Sequence, residues 1–438
     1  LQDRRAELDG PDSGASALVW AWCCYDWAYS AFNTVVTTFV FATYFVQGVA
    51  QDAARGTSLW AGGQAAAGLV VALCAAPAGA LADGGGARRK LFTAFTLIMV
   101  GCTGALWLVR PEAADVPLAL ALVCAATVAY ELATTFYNAM LPELAAPGRL
   151  GRVSGLAWGA GYVGGLCCLA LCLVVLIQPE TPPFGLVRAG AQNVRAAAVF
   201  AAAWMLVFSL PLLLLARSPV RTAAPGTRAA IRQGAKNLAA TLRHARASPS
   251  LLRFLAARML YADGLTTLFA FGAIYAAGRF GMDTAEVLQL GIGLTATAGA
   301  GALGFAMIED RIGSRTVVLL CLGCLVALGA AVLLAPDRRA FWWAALPLGV
   351  FLGPAQSASR SLMAQLAPPG ERNAMFGLYA LSGRVTGFAG PAALGIVTAL
   401  AGSQQAGMAV ILALLVAGGL LLATVQAPTP ARLARAST

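Results

Sequence analysis

The sequence predicts an all-α membrane protein of about twelve transmembrane helices, folded as two pseudo-symmetric six-helix bundles, and three observations carry the prediction. Hydrophobic residues make up 59% of the 438-residue chain and charged ones 11%, against about 25% charged in soluble domains, so most of the surface must face lipid. Apolar stretches near the ~20 residues needed to cross a ~30 Å hydrocarbon core recur from end to end. The chain also repeats itself. Asp83, Gly86 and Arg88 return as Asp310, Gly313 and Arg315, each 227 residues later. Leu144, Ala145, Pro147, Gly148, Gly155 and Leu156 return as Leu366, Ala367, Pro369, Gly370, Gly377 and Leu378, each 222 later. Two copies in the same order are a parallel duplication, and in so apolar a chain that implies two membrane bundles rocking about a central site.

A polar tail, 1–17, precedes the first span, 18–49. The spans 57–82 and 90–109 come next, separated by the basic loop that ends in Arg88, Arg89 and Lys90. Spans 116–141, 153–178 and 196–216 complete an N-terminal bundle, 18–216. A basic connector, 217–252, leads to 253–279, 284–308, 315–335, 340–366, 373–400 and 404–425, which form a C-terminal bundle, 253–426, before the tail 427–438. All spans should be helical, because lipid offers no partner for backbone N–H and C=O groups and the alternation of a barrel strand is absent. The connector around Ile231–Arg246 is expected to form a surface helix.

The net charge of +11 is explained by its placement. With the N-terminus in the cytoplasm, Arg4, Arg5, Arg88, Arg89, Lys90, Arg149, Arg152, Arg311, Arg315, Arg372, Arg432, Arg435 and the connector residues Arg217, Arg221, Arg228, Arg232, Lys236, Arg243 and Arg246 share one side. The opposite loops hold Arg55, Arg110, Arg188, Arg195, Arg279, Arg338 and Arg339. This positive-inside bias predicts a multi-pass protein of the cell membrane with both termini cytoplasmic, and no nucleic-acid partner is needed. The first span lacks a signal-peptide pattern and is expected to be retained. All ten cysteines lie in spans and the single histidine, His244, lies in the connector, so no metal site is expected. Neither a phosphate-binding glycine loop nor a grouped nucleophile, base and orienting residue occurs, which argues against ATP-driven work and against an enzyme. No cofactor is implied.

Polar groups inside a membrane are costly and therefore informative. Asp26, Ser30, Asn33, Thr37 and Tyr44 share one face of a regular helix in the first span. Thr127, Glu131, Thr134 and Asn138 repeat the pattern in the fourth, and Tyr261, Asp263, Thr266 and Thr267 in the seventh, so these three are expected to line one cavity. The second half answers with Gln356 and Arg360 in the tenth span and Arg384 in the eleventh. Asp26, Asn33, Glu131, Asn138, Asp263, Arg360 and Arg384 are thus the candidate solute-binding or coupling residues. An acidic wall facing a basic wall suits a solute with a carboxylate or both charges, and an internal network of ion pairs is the alternative reading. Asp26→Asn is expected on this pattern to spare packing and abolish transport. Gly155/Gly159, Gly161/Gly165 and Gly383/Gly387 are spaced for close helix packing.

The segment Gly79-Ala-Leu81-Ala-Asp83-Gly-Gly-Gly86-Ala-Arg88 resembles the loop signature of the major facilitator superfamily, between spans two and three as in that family. Gly84 stands where a basic residue is usual; the second copy has Arg311 there. Trp22-Cys-Cys-Tyr25-Asp26-Trp27-Ala28-Tyr29-Ser30-Ala31-Phe32 is similar to the first-span motif of the Unknown Major Facilitator family, bacterial relatives of fungal vacuolar amino-acid effluxers linked to autophagy, with Tyr29 in place of the family's Asn. Phe136-Tyr-Asn138, Pro142-Glu143-Leu144, Gly151-Arg152-Val-Ser154-Gly155, Ser359-Arg360-Ser361-Leu362 and Ser382-Gly383-Arg384 also resemble it, with Arg384 in place of a common Lys.

The resemblance implies solute transport, with amino-acid efflux known among the fungal members. Together with the duplication and the charged residues, it leads to the expectation of a monomeric secondary transporter moving an amino acid or related carboxylate-bearing metabolite, outward, by rocker-switch alternating access. Asp26, Glu131 and Asp263 are then candidate proton carriers for coupling. Asp83, Arg88, Arg152, Asp310 and Arg315 would form a cytoplasmic gate, with Asp83 latching onto the eleventh span near Asn373 and Asp310 onto the fifth near Arg152. A membrane-embedded receptor or scaffold without transport activity is the alternative, and it leaves the two latches in register unexplained.

Overall fold

The structure is a computed structural model that describes residues 11–85, 87–216, 227–387 and 389–426. Arg4, Arg5, Gly86, Arg217, Arg221, Arg432 and Arg435, used in the charge and loop arguments, lie outside the described residues, as do most of both tails. All described secondary structure is helical. The N-terminal half comprises α1 (Pro11–Ala31), α2 (Ala53–Gly85), α3 (Arg88–Ala105), α4 (Val116–Leu144), α5 (Leu150–Leu171) and α6 (Gln192–Leu215). The connector holds α7 (Thr227–Ala247). The C-terminal half comprises α8 (Pro249–Phe280), α9 (Thr284–Ile312), α10 (Ser314–Leu334), α11 (Arg338–Leu366), α12 (Arg372–Ser382), α13 (Ala389–Ala401) and α14 (Gln404–Ala423).

Among the described residues, ten helical segments are long and apolar enough to cross a membrane. The two further crossings depart from that standard for different reasons: α11 has the length, 29 residues, but carries Gln356 and Arg360, and the last crossing before α14 is split into α12 and α13. Proline sits inside helices at Pro77, Pro142, Pro211, Pro347 and Pro354. Neighbouring helices in a membrane bundle can absorb such interruptions.

Two expectations about helix regularity are corrected. The span 373–400 is not continuous: Gly383–Gly387 form turns between α12 and α13. Gly383 and Gly387 are therefore part of a helix break and not a helix-packing pair. The first span also leaves α-helical register, passing through π-helical stretches at Phe32–Phe39 and Phe45–Val49 around a short turn, Phe41–Tyr44. Each i→i+5 stretch rotates the residues C-terminal to it, so the single stripe read from Asp26 to Tyr44 does not hold. Tyr44 is buried and its hydroxyl donates to Val109 O at 3.0 Å, away from the polar residues that precede it.

Within the first half α1 packs on α5 and α6, and α4 on α2 and α3; within the second, α8 and α10 pack on α14, and α9 and α10 on α11. The halves meet where α2 lies along α12 and α5 along α9. Small residues permit both approaches. A Cβ on Gly377 of α12 would sit 2.6 Å from Ala76 Cα, and one on Gly155 of α5 would sit 2.7 Å from Ala306 Cβ and 2.8 Å from Ala302 O. Gly161 and Gly165 serve a different contact, inside the first half, against Ser30 and Thr34 of the first span. Gly155→Val should therefore wedge α5 from α9 at a cost of about 1–3 kcal/mol, read as faster hydrogen exchange in the peptide 150–158. Gly161→Val should leave exchange along α9 unchanged.

Candidate functional site

The two halves are tied together at Arg360. This α11 residue is 1% exposed, and its guanidinium reaches across into the opposite half. Its Nη1 donates to Asp26 Oδ2 at 3.0 Å and to Asn138 Oδ1 at 3.3 Å; its Nε donates to Ser154 Oγ at 2.9 Å and its Nη2 to Ser154 O at 2.7 Å. One planar fork thus grips α1, α4 and α5. The Ser154 hydroxyl donates onward to Ser357 O at 2.8 Å. Asp26, also 1% exposed, receives a second hydrogen bond on Oδ2 from the Tyr137 hydroxyl at 2.8 Å. Arg360 further lies over the Trp22 ring at 4.7 Å, with Trp158 at 5.6 Å and Tyr137 at 5.7 Å, an aromatic cage suited to a weakly hydrated cation. Arg360 and Asn138 occupy matching positions of the duplication, 222 residues apart. Their contact is what two positions close to a pseudo-twofold axis produce.

A second charge pair crosses the halves. Arg384, in the turn between α12 and α13, pairs with Glu131 of α4. It differs from the first in access: the Arg384 side chain is 38% exposed and that of Glu131 14%. Nearby, the exposed Asn33 donates to the Tyr130 hydroxyl at 2.7 Å. The acidic and basic residues meet in two pairs, one sealed and one partly exposed, the arrangement that the ion-pair reading of the same residues describes. Asp263 joins neither. It is 3% exposed and its Oδ2 accepts from Gly390 N at 2.8 Å, so this α8 residue caps the start of α13 rather than completing a cavity with Asp26 and Glu131.

The face bearing the connector is closed by two further contacts. Asp83, at the end of α2, accepts from Asn373 N at 3.2 Å, Asn373 Nδ2 at 2.6 Å and Ala374 N at 2.9 Å, where α12 begins. Asp310, at the end of α9, accepts from Gly151 N at 2.8 Å and Arg152 N at 3.2 Å, where α5 begins. Each carboxylate meets free N–H groups and the positive end of a helix dipole in the other half. Arg152 contributes through its backbone; its side chain approaches Met307 Sδ at 3.4 Å. The remaining two gate candidates stay within their own halves. Arg88 forms a bidentate pair with Glu143 at 2.5 and 2.7 Å, and Arg315 donates to the carbonyls of Leu422 and Ala423 at the end of α14.

Several residues that complete the site are not evident from sequence. Tyr137 and Ser154 stand inside the motifs around Asn138 and Arg152, but nothing in a hydroxyl's position along the chain says what it will bond. Glu143 reaches Arg372 of the other half at 4.0 Å besides holding Arg88. Arg258 donates to Tyr379 O at 2.6 Å and Ser382 Oγ at 2.9 Å and lies 3.5 Å over the Tyr379 ring, fixing the last turn of α12 before the break. Glu309 is buried against Gly151 and accepts from Ser314 Oγ at 2.7 Å.

Known proteins show the same architecture. The family model described as vacuole effluxer Atg22 like matches residues 57–151 and 148–432. An uncharacterized MFS-type transporter, YxiO, of Bacillus subtilis (strain 168) is 24% identical over 414 residues, covering 93% of this chain and 95% of its own. Autophagy-related protein 22-1 of Aspergillus fumigatus is 28% identical over 274 residues, 56% of this chain but only 43% of the fungal protein, so the match spans less than half of that relative. Among solved structures, the proton:xylose symporter XylE bound to 6-bromo-6-deoxy-D-glucose superposes with a TM-score of 0.72 at 12% identity, covering 97% of this chain and 99% of that one. The transporter FucP in its outward conformation gives 0.70 at 15% identity, covering 94% and 98%. Both share the major facilitator fold.

Proposed function

Because the chain belongs to the vacuole effluxer Atg22-like family of major facilitator transporters, we propose that it exports a small zwitterionic or carboxylate-bearing solute, an amino acid or close relative, by rocker-switch alternating access coupled to protons. The observation that carries this reading is the contrast between its two charge pairs. Asp26–Arg360 is sealed between the halves, whereas Glu131–Arg384 is partly exposed. We take the connector face as cytoplasmic, from the positive-inside bias, and the structure then represents a cytoplasm-closed state.

In this scheme a solute carboxylate takes the Arg384 fork and a solute amine faces Glu131, each replacing the partner that the protein supplies at rest. A proton on Glu131 would also release Arg384, opposing a solute amine at Glu131 while freeing the guanidinium for a solute carboxylate. Opening to the cytoplasm draws Arg360 out of its nest and breaks both Asp contacts. Solute binding must favour the open state by as much as those contacts favour the closed one.

A thermal-shift screen of the purified protein against amino acids, carboxylates and small peptides would name the solute, since a ligand that prefers the native state raises the melting temperature. With that ligand in hand, Arg384→Gln should weaken binding by about 10- to 100-fold, the worth of a hydrogen bond to a charged group, while melting stays near wild type. If Arg384→Gln instead lowers the melting temperature strongly and Glu131→Gln restores it, the pair is structural and the binding role is wrong.

A further inference from the structure

The connector helix α7 runs from Thr227 to Ala247 and only Ser248, in extended backbone, separates it from α8. It therefore lies at the level where a transmembrane helix leaves the bilayer. No Asp or Glu occurs between Glu180 and Asp263, so nothing on or near α7 in sequence neutralises its basic residues. Their register is ordered. At ~100° per residue, Lys236, Arg243 and Arg246 fall within a sector about 80° wide. The protein-facing side is a different one: Thr241 and Ala245 are buried, and Asn237 Nδ2 donates to Ala80 O at 3.4 Å. Lys236, Arg243 and Arg246 are exposed, and among the described residues none of the three forms an ion pair. Leu242, 39% exposed, flanks the stripe with apolar surface.

From this we propose that α7 is a docking surface for the headgroups of anionic phospholipids. The basic stripe meets the lipid phosphates, the Leu242 flank enters the headgroup boundary, and the opposite side stays seated on the protein. A membrane surface fits better than a soluble acidic partner, because α7 is joined by one residue to a helix that must enter the bilayer. The seat matters for the gate. Helix α7 touches α2 in one half and α8 and α12 in the other, beside the Asp83 contact. Lipid bound along the stripe thus holds a strap across the closed face.

The test is hydrogen exchange of the 227–247 peptide in full-length protein, reconstituted in nanodiscs of phosphatidylcholine alone or with part of it replaced by phosphatidylglycerol. Exchange is expected to slow at least about fivefold with phosphatidylglycerol, the factor one basic residue contributes at an anionic surface. Added salt should reverse the effect, and the variant K236Q/R243Q/R246Q should abolish it while exchange in α11 stays unchanged. Equal exchange in the two lipids overturns the proposal. So does slowing of the same size with a soluble polyanion such as heparin in phosphatidylcholine discs, which would assign the stripe to a soluble partner.

Discussion

Arg360→Gln is expected to destabilise the protein by about 3–5 kcal/mol, the usual consequence of removing one member of a buried ion pair. The variant strands Asp26 at 1% exposure with the Tyr137 hydroxyl as its remaining donor, and takes donors from Asn138 Oδ1 and from both oxygens of Ser154. Asp26→Asn should also destabilise, because it leaves a guanidinium buried in an aromatic cage with no counter-charge. This replaces the expectation, drawn from the stripe in the first span, that Asp26→Asn spares packing. The double variant Asp26→Asn/Arg360→Gln removes both charges together and should recover most of the loss. A double-mutant cycle in melting temperature or denaturant resistance measures that coupling. Additive losses in the double variant would mean that the two side chains do not act as a pair.

Removing both latches, with Asp83→Ala and Asp310→Ala, should move the ensemble toward the cytoplasm-open state. Each carboxylate caps a helix N-terminus across the interface, and such caps contribute about 1–2 kcal/mol. Losing both gives about 2–4 kcal/mol, or roughly 30- to several-hundred-fold in the open-to-closed ratio. The amides of Gly151, Arg152, Asn373 and Ala374 donate to these carboxylates, so exchange in the peptides 148–156 and 371–378 reports the change directly. Single variants should show a smaller effect of the same kind. Unchanged exchange in the double variant would show that the aspartates have no part in closing the face.

How far the sequence reveals such contacts depends on whether the partner is a backbone feature or another side chain. The latches are legible because the loop signature marks each Asp and a helix start, recognisable in sequence, offers N–H groups to a carboxylate. The Asp26–Arg360 pair is not, although both residues stand out as charges in apolar spans. They are 334 positions apart, and whether two facing charges bind a solute or each other depends on their reach across an interface that composition does not specify. Asp263 shows the same difficulty in another form: it caps α13, a helix start that exists only because the chain breaks at Gly383–Gly387. That break lies in a stretch apolar enough to pass for one continuous span. The π-helical turns of the first span are hidden for a related reason, since an i→i+5 slip is imposed by packing and leaves no residue signature of its own.

The central claim, that the protein moves a carboxylate-bearing solute through a site built on Glu131 and Arg384, is tested most directly by counterflow in proteoliposomes with a solute that stabilises the purified protein. Vesicles preloaded with unlabelled solute should accumulate the labelled form. Arg384→Gln should lower the initial exchange rate at least about tenfold in protein that melts like wild type. Wild-type exchange by Arg384→Gln, or no exchange of any stabilising solute by the wild type, would contradict the account.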